Sequence, residues 1–150
     1  MSGRLSVTSA RALTFFVDRS LGSFTVPAAL RAAGWVLETM DERYGSGKSP
    51  WVKDVEWIED AAGRGDIILC KDLRIARNPL EADVVHRTSA RAFGLARRDI
   101  DGASMAECFM AHEEQIFRMA GRVEGPYVVS VSSGGLRRMS LNLRLPPAEL

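Results

Sequence analysis

Short runs of consecutive apolar residues alternate along this chain with stretches in which apolar positions recur every three or four residues. The first run, Leu13-Thr14-Phe15-Phe16-Val17, is β-rich and stops at Asp18. A run of that length and kind predicts a strand buried on both faces of an α/β sheet. Gly22 and Ser23 break it. Val26, Ala29, Leu30 and Ala33 follow at helical spacing, with Pro27 in an early-helix position and Gly34 as the stop. Trp35-Val36-Leu37 then predicts a second strand. A strand, helix and strand in this order favour parallel strands joined by a right-handed crossover.

From Met40 to Trp51 the chain is polar and rich in Gly and Ser, which predicts a loop over the top of the sheet. A helix should begin near Asp54, bury Val55, Ile58 and Ala62 on one face, and end at Gly63 and Gly65. Ile67-Ile68-Leu69-Cys70 predicts a third strand, running into Lys71-Asp72. Pro79 opens a helix carrying Leu80, Val84 and Val85, and Ala92-Phe93-Gly94-Leu95 predicts a fourth strand that Gly94 weakens. The longest helix is expected from Ser104, where Ser104 and Glu107 match a capping box. Its apolar stripe is Met105, Phe109, His112, Ile116 and Met119, which makes His112 a core histidine. Tyr127 to Val131 predicts a fifth strand and Gly134-Gly135 a turn. Leu141, Leu143 and Leu145 alternate with polar residues and predict an edge strand before Pro146-Pro147. No repeat or second domain is visible; residues 1–12 read as a flexible lead-in, 13–145 as the domain and 146–150 as a tail.

Composition narrows the class. At 150 residues, 46% hydrophobic and 26% charged, the chain matches one soluble globular domain. No apolar run approaches the ~20 residues of a membrane helix, and Met1 to Ala12 lacks the apolar stretch of a secretory signal. A cytoplasmic protein with no membrane contact is expected. Cys70 and Cys108 each lie in an apolar segment and read as buried free thiols. With His86 and His112 on separate helices, zinc has no ligand cluster. The net charge of +1 does not by itself argue for nucleic acid, although 17 of the 20 basic residues are arginines, whose planar fork suits phosphate.

The candidate chemistry lies in two strands that each end in aspartate, Phe16-Val17-Asp18 and Cys70-Lys71-Asp72. Sites of open α/β sheets form beyond the carboxyl ends of the strands. If these two strands are neighbours, roughly 4.8 Å apart, both carboxylates reach one point. Repelling carboxylates invite a hard cation, and magnesium typically takes one or two of them. Either aspartate alone could simply end a strand and start a turn. Asp54 opens a helix on the same side of the sheet, where it could be an N-cap or a third acid. Glu38 and Asp41 follow the second strand and could face the cleft. Glu81, three places after Asn78, reads as the second half of a capping box. Arg74 and Arg77, just past Asp72, are either phosphate-binding or solvated. A dehalogenase-type phosphatase would need a second aspartate two residues after the first, and Asp18-Arg19-Ser20 lacks it. A phospho-receiver would need paired acids there, and Val17 precedes Asp18.

The order of Asp18, then Asp54 with Val55-Glu56-Trp57-Ile58, then Ile68-Leu69-Cys70-Lys71-Asp72 resembles the PIN-like domains of VapC-type toxins, from roughly Leu13 to Leu141. The resemblance implies a three-layer α/β/α sandwich with a central, mainly parallel sheet. It implies endoribonuclease activity with Mg²⁺ or Mn²⁺ on acidic ligands, restrained by a cognate antitoxin in a bacterial toxin–antitoxin pair. Asp18, Asp54 and Asp72 match the acidic motif as catalytic metal ligands, and Asp41 is the further candidate. Cys70 stands where that pattern usually has Thr or Ser. The expected partners are RNA, held in part by Arg74 and Arg77, the antitoxin, and a second copy of the chain in a homodimer. The alternative is a PIN-like module with weak or no catalysis that works through a protein partner.

Overall fold

The computed structural model describes residues 13–97 and 100–144. The expected lead-in over 1–12 and the tail over 146–150, together with Leu145, lie outside the described residues. The strands are β1 (Phe15–Val17), β2 (Leu37–Thr39), β3 (Ile67–Cys70), β4 (Arg91–Leu95), β5 (Tyr127–Ser132) and β6 (Gly135–Met139). They form one sheet in the order β2-β1-β3-β4-β5-β6. Every pairing is parallel except β5 with β6, a hairpin in which Val131 faces Leu136. The helices are α1 (Thr25–Ala32), α2 (Met40–Tyr44), α3 (Asp54–Gly63), α4 (Arg74–Arg77), α5 (Pro79–Thr88), α6 (Gly102–Ala111) and α7 (Glu113–Arg122).

Strand alternation builds two cores. Successive side chains of a strand point to opposite faces, so Phe15 and Val17 of β1 enter one core and Phe16 the other. Ile67 and Leu69 of β3 likewise part from Ile68 and Cys70. On one face α1, α6 and α7 contribute Val26, Leu30, Met105, Phe109 and Ile116. On the other, Met40 of α2, Trp57 and Ile58 of α3 and Val84 and Val85 of α5 close the second core. The result is the expected three-layer α/β/α sandwich with a mainly parallel sheet. Fully burying each large apolar side chain stabilises such a core by roughly 1.5–3 kcal/mol.

Several local expectations need correction. The second strand is Leu37–Thr39, two residues beyond Trp35-Val36-Leu37: Trp35 is buried in the core while Val36 is 55% exposed. The segment read as a loop over 40–51 holds α2 and a 3₁₀ turn at Ser49–Trp51. A full capping box starts α2, in which Thr39 Oγ accepts from Glu42 N and Glu42 Oε1 accepts from Thr39 N. On α3 the buried face is Trp57, Ile58 and Ala61, with Val55 and Ala62 only partly covered. Leu80 is half exposed, so the covered face of α5 begins at Glu81. The expected long helix starts at Gly102, because Asp101 caps it by accepting from Ser104 N at 2.8 Å. It breaks at His112, which stands half-buried between α6 and α7 rather than in the core. Cys108 is likewise half-buried, whereas Cys70 is buried as expected; both are free thiols. The edge strand is β6, and the segment over 141–144 is irregular.

Arg43 of α2 is the polar centre of the second face. Its guanidinium lies over the Phe16 ring at 4.2 Å and pairs with Asp66 at 2.8 Å and Glu38 at 2.7 Å, with Asp60 at 3.8 Å. Asp66, just before β3, also accepts from Thr14 Oγ1, just before β1. The arginine therefore joins the starts of β1 and β3 to the middle of β2. Only 6% of its side chain is exposed, so its loss strands acids in a poorly hydrated place. Arg43→Met is expected to cost about 3–5 kcal/mol. Urea unfolding with an unchanged m-value checks it, and a loss below about 1 kcal/mol would mean that water screens the network.

Candidate active site

Parallel pairing brings the strand ends together. Val17 of β1 stands beside Leu69 of β3, and Asp18 N donates to Leu69 O at 2.9 Å, one step past the ladder. Asp18 thus leaves the sheet where β3 ends in Cys70 and turns through Lys71-Asp72. Asp54 is the first residue of α3, with Lys53 rather than Asp54 at the N-cap position. Glu81 is the third residue of α5. Asp18, Asp54, Asp72 and Glu81 line one cleft, together with Arg19, Ser20, Trp57, Cys70, Arg74 and Ile75.

Each carboxylate is held by one protein partner. Asp18 Oδ2 accepts from Ser20 Oγ at 2.7 Å, and the same hydroxyl accepts from Lys71 N at 3.1 Å, tying the two strand ends. Asp54 Oδ1 accepts from Trp57 Nε1 at 3.0 Å, and Asp72 Oδ1 accepts from Arg74 N at 2.9 Å. Glu81 faces Arg74 Nε at 3.6 Å. What is left over is informative: Asp18 Oδ1 is buried and has no hydrogen-bond partner, an arrangement that ordinarily costs stability.

The electrostatics agree with crowding. Burial raises the pKa of Asp18 above the ordinary carboxylate value, and Asp54 pushes it the same way against the pull of Ser20 and Arg19. Burial lifts Glu81 to about 7, with Asp54, Asp18 and Asp72 adding to it and Arg74 opposing. Burial likewise drives the Cys70 thiol well up, so it stays protonated and can donate. That thiol sits 3.2 Å from Asp72 O and 3.7 Å from Phe93 O, a weak brace on the turn that carries Asp72.

Gly94 of β4 completes the mounting. A Cβ there would lie 2.6 Å from Asp72 O and 3.1 Å from Cys70 Sγ. The glycine read as a weakness of the fourth strand is what lets the Asp72 turn fold back against it.

The structure separates the sequence candidates. Asp18, Asp54 and Asp72 share the cleft, and Arg74 lines it. Asp41 is not among the lining residues: its two oxygens accept from Ser49 Oγ at 2.5 Å and Ser23 Oγ at 3.2 Å. Glu38 is engaged by Arg43. Arg77 lies in the neighbouring groove with Ser140 to Arg144, where its carbonyl accepts from Asn142 Nδ2. Glu81 is the main revision. Asn78 Oδ1 does cap α5, accepting from Leu80 N and Glu81 N, yet Glu81 gives nothing back and lies 7% exposed in the cleft. Ser20 and Trp57 were also missed; the serine stands at the position where the phosphatase pattern would need an acid.

The donor set fits a hard divalent cation. It consists of carboxylate oxygens, one of them buried and unpartnered, whose mutual repulsion a cation would relieve. Among the described residues no three His, Cys, Asp or Glu side chains are already gathered around one point. The hydrogen bonds from Ser20, Trp57 and Arg74 hold the acids at the walls instead.

Comparison with known proteins agrees with this architecture. The family described as a PIN like domain matches residues 13–97. A protein of Mycobacterium tuberculosis named "Putative ribonuclease VapC45" is 40% identical over 124 residues, 83% of this chain and 89% of that protein. No solved structure matches. The chain belongs to the PIN-like domain family, as the acidic pattern of its strand ends implied.

Proposed function

We propose that the chain is a metal-dependent endoribonuclease, the toxin half of a cytoplasmic toxin–antitoxin pair, which hydrolyses RNA phosphodiesters at the Asp18, Asp54, Asp72 and Glu81 cleft. The observation that carries the reading is that these four acids, from just past β1 and β3 and from the first turns of α3 and α5, line one cleft, with one oxygen of Asp18 buried and unpartnered. The ribonuclease named above, alike over most of both chains, supports the substrate class and the toxin role. Mg²⁺ or Mn²⁺ is the cofactor the oxygen donors suit. When bound, the cation supplies positive charge for the scissile phosphate and activation of a water.

The chain's own residues divide the remaining work. Asp18, Asp54 and Asp72 hold the cation, and Glu81 is the fourth acid in place of Asp41. Ser20 orients Asp18, Trp57 orients Asp54, and Arg74 presents its guanidinium to phosphate beside Glu81. Near neutral pH Glu81 carries a proton for part of the time, so cation binding and proton release from its carboxyl are coupled. The antitoxin is read as inserting a basic side chain, best an arginine, among the same acids.

Asp18→Asn is expected to lower RNA cleavage by at least about 100-fold while leaving the metal-free melting temperature unchanged or higher, since it removes a buried charge. Cleavage assayed beside thermal melting checks this. Full activity in excess chelator would exclude the metal-dependent mechanism, and absence of both cleavage and metal binding would favour the protein-binding module.

Glu81 gives a pH signature. In the unfolded chain it loses its proton near the ordinary 4.5, in the folded chain at about 7. Between those values the folded state holds the extra proton, so metal-free stability falls as pH rises through the window. Asp18, shifted the same way, adds to the fall. Glu81→Gln is expected to flatten the decline and to cost about 10–100-fold in activity. Chemical denaturation between pH 5 and pH 8 reads the first effect; parallel curves for the two proteins would remove Glu81 from the cluster.

A further inference from the structure

Two aromatic side chains stand far out of the surface on segments that adjoin cleft-lining residues in the chain. Phe24 and Trp51 are each 83% exposed, well beyond any other large apolar residue described. Trp51 lies three residues before Asp54, so the chain sets the two at most ~11 Å apart. Phe24 follows Ser20, another lining residue, by four. Both are on braced backbone. Pro50 and the 3₁₀ turn over Ser49–Trp51 fix the tryptophan's segment, and Val52 O accepts from Arg19 Nη2 of the cleft at 2.5 Å. Asp41 ties the two segments together through Ser49 Oγ and Ser23 Oγ. An exposed indole on a fixed turn loses little freedom when something stacks on it.

The charge around the tryptophan says what that something is. The chain has only three lysines, and two of them, Lys48 and Lys53, flank Trp51 in Lys48-Ser49-Pro50-Trp51-Val52-Lys53. Both are exposed. The third, Lys71, adjoins Asp72. An aromatic face between two cations suits a polyanion that carries flat bases.

We propose that Trp51, with Lys48 and Lys53, forms a base-stacking subsite that holds an unpaired nucleotide next to the scissile phosphate, with Phe24 as a second platform on the same rim. The inference rests on the ribonuclease reading and adds to it the residues that grip the substrate outside the acids. A base offers its face to a protruding indole only when it is unpaired and splayed from its neighbours. Single-stranded RNA therefore fits this rim, and a continuous duplex does not. Trp51 acts in binding, apart from the acids.

The test is steady-state cleavage of a single-stranded RNA oligonucleotide and of the same sequence annealed to its complement. Trp51→Ala is expected to raise KM for the single strand about 10-fold with kcat within about twofold; Trp51→Phe should recover most of the loss. Lys48→Ala with Lys53→Ala should reduce the salt dependence of KM by about 1.4 in logarithmic slope. Binding is read separately in Asp18→Asn with Mg²⁺, which keeps the RNA whole: the single strand should quench the Trp51 emission, the duplex should not, and Trp51→Ala should abolish the change. Equal KM for Trp51→Ala and wild type would overturn the subsite while leaving the nuclease standing. So would a Trp51→Ala protein with normal KM and an altered oligomeric state by light scattering, which would make the rim a protein interface. Quenching by a protein that cuts no RNA with either cation would keep the subsite and remove the nuclease reading. Neither cleavage nor quenching would remove both.

Discussion

The site depends on one constraint, the parallel register of β1 against β3. Because Val17 pairs with Leu69 and Asp18 N continues the ladder onto Leu69 O, the two chains leave the sheet side by side. Parallel strands put every carboxyl end on one edge, and every following helix begins there or returns there. A shift of one residue would send Phe15 and Val17 into the wrong core and turn Asp18 away from the cleft. The buried apolar side chains of β1 and β3 therefore fix the position of the acids as firmly as they fix the fold.

That position is electrostatically costly for the protein's own groups. Asp18 is buried with one oxygen unpartnered, and Glu81 is pushed to about 7 by burial and three neighbouring acids. A sequence under pressure for stability alone would replace such residues. They are tolerated because the two cores around them are large, and because each acid is tethered by a single donor from Ser20, Trp57 or Arg74. The mounting uses close packing as well as hydrogen bonds. Gly94 admits the Asp72 turn to within a distance no Cβ would allow, and the Cys70 thiol rests on the same carbonyl. A cysteine at that place is compatible with the site, since its burial keeps the donor proton on sulfur.

Central strands and the acids at their ends were legible because both signals are local. A strand buried on both faces shows as an unbroken apolar run, and Asp18 and Asp72 follow such runs directly. The edges were not. β2 has one neighbour, and its Leu-Glu-Thr is less apolar than the Trp35-Val36 that precedes it. β6 exposes Arg137 and Arg138, while the alternating leucines beyond it imitate a strand. The place of Glu81 is hidden from the sequence for a related reason. Asn78-Pro79-Leu80-Glu81 matches a capping box, but whether the glutamate turns back or inward is decided by how α5 lies against α3, which no window of sequence contains. Ser20 matters only because Lys71, 51 residues later, comes within reach of its hydroxyl.

The segment that reads as a loop is what joins the frame of the protein to the rim of its cleft. Its five-residue helix, α2, exists because Thr39 and Glu42 cap it reciprocally. Two residues of that helix then act in different places. Arg43 lies on the ring of Phe16 and gathers the acids beside β1, β2 and β3. Asp41 holds Ser23 and Ser49, hence the segments that carry Phe24 and Trp51. The aromatics are thereby referred to the same strands that set Asp18, through a polar path of few bonds. Seen this way, Asp41 is not a weak fourth member of the acidic cluster. It is a brace between fold and rim, and the separation of roles explains why a carboxylate so close in sequence to the cleft does not line it.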